Sequence, residues 1–277
     1  MLAAMAKRGN LLVLARNQGS VRIQVLDITR KVWIRDFVFR PDSGAGLDVG
    51  GLAIGEDGRI FLSDTSACCV WIFNLFGKPL GRLGLPKEVS TPRDRRGIPA
   101  WPRGLSLDSQ QALWVACGAS AWVHGLQIFS PDGRFQTSVA SQGVRTETYC
   151  APEGLVIQEG RVWVAEPLAD RLQVFREDGG FLGAYDVSDR AGVGRPFALT
   201  PFSGGLAVLV REPVEALLLL DREMRPRKDF MHPRPDHFDG PVALLGLEDD
   251  SLLILDQLGD RLRRLDPGLM LEDWIQL

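Results

Sequence analysis

One pattern recurs through the whole chain: an apolar run, a tight polar turn, and a second apolar run that often ends at an acid. A loop follows, and then two further runs joined by a short turn that usually contains Gly. The second runs read NLLVLAR, RIFLSD, ALWVAC, RVWVAE, GLAVLV and SLLILD, ending at Arg16, Asp64, Cys117, Glu166, Val210 and Asp256. Successive ends lie 48, 53, 49, 44 and 46 residues apart. Self-similarity at this period limits the fold severely. Each unit cannot bury its apolar surface alone and must stack against its copies.

The first runs of the six copies fall at 2–6, 51–54, 104–107, 153–157, 197–200 and 242–247. Turns such as PDG, EDG and DPG join the third and fourth runs, with residues suited to tight hairpins. Runs such as LLVL, LLLL and LLIL are continuously apolar, as expected of strands buried on both faces. Gly, Pro and Asp punctuate every 6–10 residues, which is too often for helical repeats. Four strands per unit and six units predict an all-β chain: a six-bladed β-propeller of four-stranded antiparallel blades, in a single domain over 1–277. No helix is expected. The first blade reads as complete from residue 2 and the last as complete at 277. The ring is then expected to close by packing of the end blades, or else the natural N-terminus lies upstream.

The clearest copy reads PEGLVIQEGRVWVAE (152–166) and then DRLQVFREDGGFLG (170–183). Its wording resembles the NHL-repeat propellers. The likeness is good also over 50–84 and 101–137, and looser in the other three copies. It implies the fold, and it implies little about function, because the repeat residues are structural. The acids at 64, 166 and 256 are expected to hold loops through backbone N–H groups, with Arg171 and Arg261 placed to pair with them.

Hydrophobic residues make up 45% of the chain and charged residues 24%, an ordinary globular balance. A net charge of −3 and a pI near 5.7 argue against a strongly nucleic-acid-binding surface. The four cysteines, Cys68, Cys69, Cys117 and Cys150, contain no CxxC spacing and read as reduced, buried thiols of a cytoplasmic protein. The opening MLAAMAKRGN lacks the apolar core of a secretory signal, and no run is long enough for a membrane span.

In a propeller, the loops entering each first strand and those joining second to third strands open on one face. Here those include the long loops: 40–50, 84–102, 140–152, 187–196 and 230–241. Binding residues concentrate on loops held by a rigid scaffold, so function is placed on this face. The longest of these, with the residues that follow it, reads GLPKEVSTPRDRRGIPAWPRG (84–104) and gathers Arg93, Arg95, Arg96, Trp101 and Arg103. Residues opening the first strands should ring the channel mouth: Gly50, Arg103, Glu153, Phe197 and Val242. The charged pair Arg103 and Glu153 comes from neighbouring blades. The favoured reading is a non-catalytic scaffold binding a protein or peptide through Arg93, Arg95, Arg96, Trp101, Arg103 and Glu153, without metal or cofactor.

The alternative is a metal-dependent hydrolase or lyase at the channel mouth. Six-bladed propellers of the gluconolactonase type use a Glu, an Asn and an Asp around a cation. Glu153 resembles the first of these, but Asn10, Asn17 and Asn74 are poorly placed for the second. Streptogramin-lyase or amidating-lyase chemistry needs His ligands, and only His124, His232 and His237 are available. No G-x-S-x-G nucleophile motif occurs. Single-stranded RNA binding, known among NHL propellers, is a minor reading.

Overall fold

The computed structural model describes residues 3–17, 20–41, 47–84, 97–118, 125–139, 152–212, 215–227, 240–256, 261–268 and 270–277. It is the all-β, six-bladed propeller that the repeat predicts, with blades of antiparallel strands in chain order. Two compact units divide the chain at Glu153 and Gly154.

The first unit carries three four-stranded blades. Blade one is β1 (Ala3–Arg8), β2 (Leu11–Asn17), β3 (Val21–Asp27) and β4 (Val32–Phe39). Blade two is β5 (Val49–Ile54), β6 (Ile60–Asp64), β7 (Cys69–Phe73) and β8 (Pro79–Leu83). Blade three is β9 (Pro102–Leu107), β10 (Leu113–Cys117), β11 (Leu126–Phe129) and β12 (Phe135–Val139). Every residue of β6 and β10 is buried, which accounts for their unbroken apolar reading. Val13, Ile23 and Val25 of blade one pack with Leu62 and Phe73 of blade two. On the other side of blade two, Phe61 and Val70 pack with Leu113, Val115 and Phe129. Each such fully buried side chain contributes about 1.5–3 kcal/mol.

The second unit opens with β13 (Leu155–Gln158), β14 (Arg161–Glu166), β15 (Arg171–Arg176) and β16 (Phe181–Asp186). Blade five shows β17 (Gly194–Phe202), β18 (Gly205–Glu212) and β19 (Ala216–Leu220). Its fourth strand, expected near 228–231, lies outside the described residues. The approach to it is visible: Leu220 bridges Pro226, and the Arg227 N–H donates to the Leu219 carbonyl at 2.9 Å. Blade six is β20 (Pro241–Gly246), β21 (Leu252–Asp256), β22 (Arg261–Leu265) and β23 (Leu271–Gln276).

Three features depart from the sequence reading. The expectation of no helix is corrected by α1 (Val187–Ala191), a single turn. Asp186 caps it by accepting the Asp189 N–H, and Gly192 closes it at φ +66°. Inner strands also start earlier than predicted, at Pro102 and Gly194, which places Arg103 within a strand and moves Phe197 from the opening of its strand into the interior. Finally, five blades share a β-bulge between third and fourth strands, as at Ile72/Phe73 and Val174/Phe175. The extra residue turns the outer strand and increases local twist. No helix among the described residues is long and apolar enough to cross a membrane.

Candidate functional site

The site is built on the backbone that enters β9. Trp101 stands immediately before that strand in the left-handed region, φ +45°, with its side chain 42% exposed. Left-handed backbone is costly for a bulky residue and persists only when neighbours enforce it. Here they do. The carbonyls of Ala100 and Trp101 both accept the Gly118 N–H, at 3.1 and 3.0 Å, tying the segment to the end of β10. The buried Thr65 hydroxyl donates to the Pro102 carbonyl at 2.8 Å, and the buried Ser63 hydroxyl donates to the Arg103 carbonyl at 2.8 Å. The Gly104 N–H donates to the Glu153 carbonyl at 2.7 Å.

Glycine sets the closeness of these strands. A Cβ on Gly50 would stand 2.5 Å from the Pro102 carbonyl oxygen, and one on Gly51 would run into that of Arg103. The same device recurs in the second unit, where a Cβ on Gly154 would lie 2.6 Å from the Phe197 oxygen. Inner strands therefore touch backbone to backbone, and the segment 100–104 is anchored from β6, from β10 and from Glu153.

Of the predicted site residues, this scaffold holds three: Trp101 exposed, and Arg103 and Glu153 half-buried on hydrogen-bonded segments. Arg93, Arg95 and Arg96 lie outside the described residues. Phe197 is buried beneath the Arg211 guanidinium, 3.9 Å from its ring centre, while Gly50 and Val242 are half-buried on their strands. Sequence reading did not single out Ser63 and Thr65. Their only sign was the S-D-T that closes β6.

Of the acids at the second-strand ends, Asp64 organises a turn through backbone N–H groups. Asp64 is buried and accepts from the N–H groups of Asp48 and Ala67, the Ser66 hydroxyl and the Trp71 indole. Glu166 is buried and takes Arg171 Nε at 2.7 Å and Gln173 Nε2 at 2.8 Å. Asp256 faces Arg263 at 3.6 Å. Cys68, Cys69 and Cys117 are free thiols, and Cys150 is outside the described residues. Among the described residues no three His, Cys, Asp or Glu side chains converge closely enough to hold a metal ion. All three histidines, His124, His232 and His237, lie outside them.

No protein-family model matches the chain, and no curated protein matches it by sequence. Solved structures do. A catalytically inactive virginiamycin B lyase from Staphylococcus aureus with quinupristin superposes with TM-score 0.68 at 13% identity, over 98% of this chain and 83% of that one. A streptogramin B lyase gives 0.67 at 15% identity, over 99% and 82%. A chain of a nidogen/laminin complex gives 0.63 at 15% identity, over 96% and 92%. At these identities the likeness establishes the fold alone.

Proposed function

We propose that this chain is a non-catalytic binding scaffold, an NHL-type propeller that presents its long-loop face to a protein or peptide. The observation that carries the reading is Trp101: a large apolar side chain held outward on a backbone fixed by three neighbours. An ordered, exposed aromatic loses little conformational entropy on binding, and Trp and Arg are the side chains that most often dominate interface energy. Arg103 follows Trp101 two residues on, Glu153 is joined to the next residue by the Gly104 N–H, and Arg93, Arg95 and Arg96 add basic character to the same stretch of sequence. Occurrence of a related propeller in a nidogen/laminin complex supports a protein partner.

The test is selection of peptides from a displayed library on the native protein, with Trp101→Ala and Arg103→Glu as comparison surfaces. Peptides that lose at least tenfold affinity on both variants support the reading. Removal of a central interface Trp typically costs about 2 kcal/mol or more. Selected peptides that bind both variants as well as the native protein would overturn it.

A further inference from the structure

Blade one ends on an outer strand unlike the others. β4 reads VWIRDFVF over eight residues, with neither Pro nor Gly, and among the described residues its far edge pairs with no strand. β8 and β12 are five residues long, β8 opens on Pro79 and contains Gly81, and β23 carries Glu272. Short length, Pro and charge are how edges are kept from pairing with other chains. β4 carries charge at Arg35 and Asp36, but it is the longest of the described outer strands, has neither Pro nor Gly, and leaves Val32 and Val38 52% and 55% exposed.

Beside that edge lies a groove of about 700 Å³, within the first unit. Phe39 and Trp71 meet edge to face in it, 5.0 Å between ring centres. The Trp71 ring is fixed by its indole N–H, which donates to Asp64 at 3.2 Å. Pro41 and Pro79 form the walls. Three arginines surround these apolar groups. Arg40 lines the groove, Arg82 sits 5.6 Å over Trp71, and Arg35 sits 5.2 Å over the exposed Phe76 beyond the hairpin end of the groove. None of the three has a carboxylate partner among the described residues. Arg22, Arg59, Arg171 and Arg264 each have one. Among the described residues, Arg40 and Arg82 are thus left without a carboxylate partner beside an aromatic floor.

We propose that this edge and groove bind an extended acidic segment of a partner protein as a fifth strand on blade one. The segment's backbone pairs with β4, an apolar side chain enters against Phe39 and Trp71, and flanking carboxylates meet Arg40 and Arg82. A second copy of this chain fits poorly as the occupant. The one carboxylate that β4 could bring from a second copy, Asp36, is already held by Arg22, so a second copy has none on this strand to offer Arg40 and Arg82. The proposal stands on different residues from the reading at Trp101 and does not depend on it.

The experiment is fluorescence anisotropy with an array of labelled octapeptides in which Val, Leu, Phe or Trp alternates with Glu, Gln or Lys. Glu peptides are expected to bind at least tenfold more tightly than their Lys counterparts. Arg40→Glu with Arg82→Glu should reverse that order while leaving the thermal midpoint unchanged, since both side chains are exposed. N-methylation of alternate peptide nitrogens should abolish binding, whereas Trp101→Ala should not affect it. No binding by any peptide, equal binding of Glu and Lys peptides, or indifference to N-methylation would each overturn the proposal. So would a concentration-dependent dimer in sedimentation that the Arg40→Glu/Arg82→Glu variant loses.

Discussion

Cys68 and Cys69 are adjacent in sequence and chemically unlike. Cys69 opens β7 and is buried, whereas Cys68 sits in the preceding turn at φ +50° and is half-buried. Burial pushes the thiols of Cys69 and Cys117 up to about 12. The thiolate is the reactive form, so both should resist alkylation in the native state. Iodoacetamide at pH 8, followed by peptide mass mapping, should modify Cys68 before Cys69 and Cys117. Cys69 and Cys117 should react only on unfolding. At Asp186, the Asp189 N–H, with the Ser188 hydroxyl after it, holds the carboxyl below its usual range. A carboxyl whose folded value is depressed contributes stability above its unfolded value near 4, and that stability is lost as pH falls through the folded value. Asp186→Ala should therefore lower stability by about 1 kcal/mol at pH 7, the typical worth of an N-cap. The difference from the native protein should shrink in denaturant titrations between pH 4 and pH 2.

At the scale of elements, closeness between inner strands rests on glycine. Gly51→Ala should lose about 1–3 kcal/mol, because its Cβ meets the Arg103 carbonyl in a packed interior. Gly183→Ala on β16 meets nothing within 4 Å and should be neutral, or stabilising by about 0.4–1 kcal/mol. Equal losses in urea melts would contradict this account of the inner strands. Second strands were legible in the sequence because burial on both faces writes them as nearly unbroken apolar runs. First-strand starts were not. Pro102 and Gly194 look like breakers, yet they open strands that end their sheets and so pair along one edge alone. The turn of α1 is too short for a helical period, and its only marks were the capping Asp186 and the closing Gly192.

For the whole molecule, the sixfold repeat was readable because each copy repeats the same burial. The candidate site was readable only in part. Trp101 and Arg103 drew notice as an aromatic among cations. The contacts that hold them, Ser63 to Arg103 and Gly104 to Glu153, join segments tens of residues apart, and no local pattern records them. The groove at Phe39 and Trp71 was missed for the same reason, since it forms only when blade one meets blade two. The central claim is that a partner binds the face carrying Trp101. Its most direct test is hydrogen exchange by mass spectrometry, with and without a library-selected peptide. The account predicts new protection at 97–104 and around Glu153. Protection confined to other segments, with 97–104 unchanged, would contradict it.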